Sequence, residues 1–246
     1  MTELSAPTLD AIEQFLHLNF NGKKVPTPYF NNRRAGSRGA LRVSVGKGTV
    51  KDIKEELKIM SLREKVDLRE LNEEIITRFI VDHRLGIDCS GLVYYILDAE
   101  LKAQNKKPLK KYLSFPHAKN PLRKLLTRLR PAENCNVKTL IHDANSLTIE
   151  TKDIQPGDMI ILMHAGPRKD YNHVMLVEKI ENNIIHYVHS FQYPEDGQYN
   201  HGVRKETIVI TDNTKPIAKQ QWNCAEMNHY KDSAEHISIH RLKALS

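Results

Sequence analysis

The chain has 246 residues, a net charge of +7 and 27% charged residues, which suits a globular protein with enough length for a sizeable core. No window approaches the roughly 18 uninterrupted apolar residues of a membrane-crossing helix. Three cysteines, Cys89, Cys135 and Cys224, are too few and too odd a set for a disulfide framework, so free thiols in a reducing, cytoplasmic compartment are expected.

In chain order, MTELSAPTLDAIEQFLHLNF puts Leu9, Ile12, Phe15 and Leu16 on one side of an amphipathic helix. It lacks a basic stretch followed by an apolar one, so no secretory signal is expected. NGKKVPTPYFNNRRAGSRG is dense in Gly, Pro and Asn and reads as loop. Residues 50–60 and 66–83 carry helical apolar spacing, with Leu68, Leu71, Ile75 and Phe79 expected on one stripe. Gly86 breaks that pattern. Asp88 is a candidate N-cap for a helix that begins near Cys89 and is apolar nearly all round, which places it in the middle of the fold.

Residues 102–130 hold ten Lys or Arg and no Asp or Glu. This block is expected to be a helical insert that meets a polyanion, either nucleic acid or an anionic cell-wall polymer; a solvated basic face is the plainer reading. From about residue 150 the texture changes to strands: DIQPGDMIILM, NHVMLVEKI, IIHYVHS, VRKETIVIT and HISIHRLKAL, with Glu181-Asn182-Asn183 as a hairpin turn. Helices followed by about five consecutive strands predict an α+β fold with an antiparallel sheet. One domain over 1–246 is expected, with a helical part at 1–85 and a core at 86–246 carrying the basic insert at about 102–150.

In GIDCSGLVYYIL the thiol of Cys89 stands at the first turn of a helix, between Asp88 and Ser90. The positive helix end is expected to lower its pKa and make it nucleophilic, and Gly91 is expected to leave room for a substrate. A nucleophile needs a base and an orienting group. His173 opens one strand and His189 ends the next; a hairpin would bring their imidazoles together. His186 competes with His189 for that role, but alternation sends the two to opposite faces. The His186-x-x-His189 spacing as a metal pair is disfavoured for the same reason, and Cys135 and Cys224 read as structural or incidental.

DCSGLV at 88–93, QPGDMIIL at 155–162, HVMLV at 173–177 and YVHS at 187–190 together resemble the NlpC family of papain-like cysteine peptidases, which cut peptide bonds in bacterial peptidoglycan. The resemblance covers motifs over 86–190. It implies a papain-like fold with the nucleophile helix packed on the sheet. It also implies Cys89 as nucleophile, His173 as base, His189 as orienter, and a peptide substrate cut after a γ-linked D-glutamate, with no cofactor or metal. Family members carry a Pro-Tyr pair before the nucleophile; Pro28-Tyr29 is the candidate here, sixty residues upstream of Cys89. Tyr29, with Asp88, Ser90 and the amides of the helix start, would then line the oxyanion and substrate side. Sixty-seven residues separate Cys89 from Pro156, longer than in the family, and the basic insert lies in that gap. Two other readings stand beside this one: a papain-like amidase or acyltransferase on another substrate, and a non-enzymatic module that binds anionic polymer through the basic insert.

Overall fold

The run from Cys89 forms a helix because Asp88, in extended conformation, accepts the Gly91 amide at 2.6 Å and so caps the first turn. The computed structural model describes residues 2–32 and 42–246. In chain order the longer described helices are α1 (Ala6–Leu16), α2 (Val50–Glu64), α3 (Glu73–Asp82), α4 (Cys89–Ala103) and α5 (Pro121–Leu129). Two single turns, α6 (Pro131–Asn134) and α7 (Val137–Leu140), follow, and α8 (Ala225–Ser233) lies near the end.

The strands are β1 (Leu18–Phe20), β2 (Lys23–Val25), β3 (Ser146–Ile149), β4 (Met159–Ala165), β5 (Tyr171–Glu181), β6 (Ile184–Phe191), β7 (Gly202–Val209), β8 (Gln221–Trp222) and β9 (His236–Leu242). β1 and β2 pair as a hairpin; the other seven form one curled antiparallel sheet in the order β3-β9-β4-β5-β6-β7-β8. The five expected strands are β4, β5, β6, β7 and β9, and the short β3 and β8 extend the two edges. Register shifts between Leu162 and Ala165 on β4 and between Val177 and Lys179 on β5 mark bulges, which bend a strand and increase its twist.

Apolar cores cover both faces of the sheet. On one side Ile12 and Phe15 of α1 and Leu92, Val93, Ile96 and Leu97 of α4 pack on Ile161, Val174, Leu176 and Val188. On the other, Leu162, Met175, Tyr187, Phe191 and Trp222 pack with Met227 of α8. This explains why MIILM and HVMLV read as continuous apolar runs rather than alternating ones.

The N-terminal part departs from the expected helices-only reading, because the β1–β2 hairpin packs there. A third core joins that hairpin to α2 and α3 through Leu18, Phe20, Val25, Ile53, Leu57, Ile76 and Ile80. The stripe expected at 66–83 is also corrected. Asn72 accepts the Ile75 amide at 2.8 Å and starts α3 there, so Leu68 and Leu71 precede the helix. The buried face is then Ile76 and Ile80, while Ile75 turns out to solvent. The basic block begins in the last residues of α4, runs through a 3-10 turn at Leu109–Lys111 and irregular chain, and is helical again over 121–129.

Candidate functional site

Three segments distant in sequence meet at the start of α4. Ile87 donates its amide to the Pro28 carbonyl at 3.0 Å, and Asp88 donates to the Gly46 carbonyl at 2.9 Å. Tyr29 and Lys47 each form a β-bridge with Ile87. From the sheet, Ser190 Oγ donates to the Ile87 carbonyl at 2.7 Å. Pro28-Tyr29 is thereby placed beside the Cys89 segment despite the sixty-residue gap. Gly91 serves this packing rather than a ligand: a Cβ there would stand 2.9 Å from the Gly46 oxygen and 3.0 Å from the Lys47 stem. The room expected for a substrate at Gly91 is therefore filled by the chain itself.

Behind Cys89 lies a buried ion pair that the sequence did not announce. Lys47 Nζ donates to Asp88 Oδ1 and to Ser90 Oγ, both at 2.6 Å, and Ser90 Oγ donates to Asp88 at 3.1 Å. Asp88 and Ser90 are thus committed to capping the helix and pairing Lys47. Lys47 lies in a loop forty-one residues upstream of Asp88, with no motif to mark it.

Cys89 lines a cleft of about 460 Å³ with Tyr29, Lys47, Glu133, Cys135 and Tyr171 among its walls. The amides of Val174 and Ser90 point at its sulfur. Burial pushes the thiol pKa up to about 12, Asp88 adds to that, and Lys47 and the two amides only partly oppose it. This corrects the expectation of a thiol acidified by the helix end: the dipole acts, but desolvation of the thiolate is the larger effect. Cys135 is likewise pushed up to about 12, first by burial. Cys224 is also buried; it meets Tyr193 Oη at 3.4 Å and Glu226 at 3.3 Å on the other side of the sheet.

The two imidazoles of the β5–β6 hairpin meet: His173 Nε2 and His189 Nδ1 are 2.9 Å apart, and both residues are fully buried. The hairpin forms because Asn182 and Asn183 both take positive φ, 50° and 62°, the two-residue turn that matches strand twist. His186 alternates to the opposite face of β6 and does not join them. Burial lowers the His189 pKa well below its usual 6.5, with His173 the next cause. Its Nε2 makes no hydrogen bond among the described residues, and neither does the hydroxyl of Tyr187 two residues away.

Alternation also fixes the relation of thiol to imidazole. Val174 faces α4, so His173 and His189 turn to the other face, among Tyr171, Phe191 and Tyr187. Near the start of β5 the Cys89 sulfur meets the amide of Val174, the residue next in chain after His173. Tyr171, whose ring stacks on His173 with centroids 6.1 Å apart, forms a wall of the cleft that holds Cys89. Tyr29, another wall, stands 6.3 Å from the Phe191 ring; Asn31 donates to its hydroxyl at 3.2 Å and His201 Nδ1 accepts its amide at 3.1 Å. Among the described residues no group of three or more His, Cys, Asp or Glu could hold a metal ion.

Comparisons of the chain with protein-family models, with curated proteins and with solved structures find no match.

Proposed function

We propose that the protein is a cysteine hydrolase of papain-like fold that cuts a peptide or amide bond through a thioester on Cys89. The observation that carries this reading is a thiol at a capped helix start, lining a cleft, with the Val174 amide at its sulfur and the buried His173–His189 pair beginning at the adjacent residue of the strand. If His173 donates Nε2–H to His189 Nδ1, the lone pair of His173 sits on Nδ1; to take the thiol proton that nitrogen has to reach Cys89 around the start of β5, from the other face of the sheet. Because burial keeps Cys89 neutral, attack and proton transfer to His173 occur together rather than from a standing thiolate. The sulfur adds to the carbonyl, and the oxyanion is held by first-turn amides, which have no partner within a helix, with Tyr29 across the cleft. His173 then returns the proton to the leaving amine. Water, deprotonated by His173, releases the acid and restores the thiol.

The resemblance to the NlpC family supports a peptidoglycan stem peptide, cut after γ-linked D-glutamate, as the substrate. Hydrolysis of muropeptides followed by mass spectrometry tests both parts. His173→Ala is expected to remove turnover by about 10²–10⁴-fold. His189→Ala is expected to cost less, since water can partly replace an orienting group, and His186→Ala to leave activity intact. Damage from His186→Ala equal to that from His173→Ala would overturn the assignment. Turnover of other amides with muropeptides untouched would keep the chemistry and replace the substrate.

A further inference from the structure

The basic block has an apolar side that its charge conceals. In α5 the leucines fall at Leu122, Leu125, Leu126 and Leu129, the i, i+3, i+4, i+7 spacing of one helix face. Such a stripe normally faces a core. Here the four are 68%, 52%, 41% and 66% exposed, and the only buried residue of the helix is Thr127. At about 100° per residue the centre of the leucine stripe lies roughly 150° from Thr127, so it points away from the body of the protein. Arg123 and Arg128 flank the stripe at about 110° on either side; they, Lys124 and Arg130 are exposed, and none forms an ion pair among the described residues. No acidic residue occurs between Glu100 and Glu133.

Elsewhere in the block Lys107, Lys110, Lys111 and Lys119 form no ion pair among the described residues, while two cations have partners. Lys102 pairs with Asp98, and Lys106 donates to the Ala244 carbonyl at 2.7 Å. Arg123 and Arg128 thus stand unpaired beside the leucines, within a block that carries unpaired cations throughout and no acid. Leu129 shares a groove with Ile59 of α2, 55% exposed; Asp52, Glu55, Glu56 and Arg130 line the same groove.

We propose that α5 is an in-plane anchor that docks the protein on an anionic phospholipid bilayer. A dissolved polyanion would use the arginines and leave four leucines in water. A protein groove for the leucines would have to supply acids on both flanks. A lipid surface satisfies both halves with one geometry: leucines enter the acyl boundary while the guanidinium and ammonium groups stay at the phosphates. The helix runs directly into α6, whose Glu133 lines the Cys89 cleft, and Cys135, Asn136 and Val137 follow on the same wall. Docking through α5 therefore holds that cleft beside the membrane surface. None of this depends on what reaction the cleft performs.

The test is co-sedimentation of the full chain with vesicles of phosphatidylcholine alone and with about one-third phosphatidylserine. Binding is expected on the anionic vesicles and to be weak on the neutral ones. Leu122→Ser with Leu126→Ser should lower binding by tenfold or more, and Arg123→Gln with Arg128→Gln should lower it about fivefold per charge. These side chains are exposed, so the variants should unfold at the wild-type denaturant midpoint. Three results would overturn the proposal: no binding to anionic vesicles; vesicle binding that survives the leucine changes; or capture by heparin or DNA that depends on the arginines but not the leucines. A shift from dimer to monomer on leucine substitution, without vesicle binding, would instead assign the face to a second copy of the chain.

Discussion

Lys47 and Asp88 meet at 2.6 Å behind Cys89 with both side chains almost entirely removed from water. Breaking such a pair leaves one charge buried and uncompensated, which costs about 3–5 kcal/mol. Lys47→Met is therefore expected to lower stability in urea by that order, and adding Asp88→Asn should restore part of it. A Lys47→Met protein as stable as wild type would mean the pair is more solvated than its geometry says. The thiol makes a second prediction at this scale. With its pKa near 12, Cys89 should react with iodoacetamide at neutral pH more slowly than free cysteine, and the rate should climb as pH rises above 9. Fast labelling that is flat from pH 6 to 9 would show a standing thiolate and contradict the burial argument. Cys89 itself was legible because a capping Asp and an apolar run make a local signal. Lys47 and Cys135 were not, since only folding brings them to the cleft.

At the scale of elements, the β5–β6 hairpin sets the His173–His189 distance through two asparagines at positive φ. A β-branched residue in that conformation costs about 1–2 kcal/mol. Asn183→Val should lose stability by that amount in denaturant melts, whereas Asn183→Gly should be neutral or slightly favourable. Equal stability of the two variants would place the turn in another conformation. The hairpin was readable because its register follows from a two-residue loop between apolar strands. The face was not: His173 opens a strand buried on both sides, so alternation of polarity, the usual signal, is missing from HVMLV. The stripe at 66–83 failed for a different reason. Helical spacing continued back through Leu68 and Leu71, but the Asn72 cap decided where the helix starts. In the basic block the composition told of charge and hid the leucines, because a leucine in sequence carries no mark of being exposed.

For the whole molecule, buried histidines tie stability to pH. His189, His201 and His240 all have pKa values lowered from 6.5, in each case first by burial. The unfolded chain takes up protons at these sites before the folded one does, so stability falls as pH drops below about 6.5 toward their folded values. His83 works the other way: burial opposes it, but Glu64 at 2.6 Å raises its pKa, so the folded chain holds that proton longer. Each fully neutral buried histidine can contribute at most about 1.4 kcal/mol per pH unit. His189→Gln should flatten the decline between pH 6.5 and 5 by up to that slope, read as urea stability at each pH. An unchanged profile would mean His189 is protonated in the folded state. At the alkaline end the sign reverses. Cys89 and Cys135 lose protons in the unfolded chain first, so stability should fall as pH rises above 9. The two-sided sheet that buries these groups also explains how coarse class was readable while site geometry was not: the order of helices and strands is local, and the burial that tunes each group is not.

The proposed reaction depends most on an acyl group passing through Cys89 with the help of His173. Acid-quenched protein, taken during turnover of muropeptides and weighed intact, reads this directly. The prediction is a mass increase equal to the acyl fragment, located on Cys89 by proteolysis and removed by hydroxylamine. It should be absent from Cys89→Ala and strongly reduced in His173→Ala. An adduct on Cys135 or Cys224, or one that forms at the same rate in His173→Ala, would contradict the assignment of nucleophile and base.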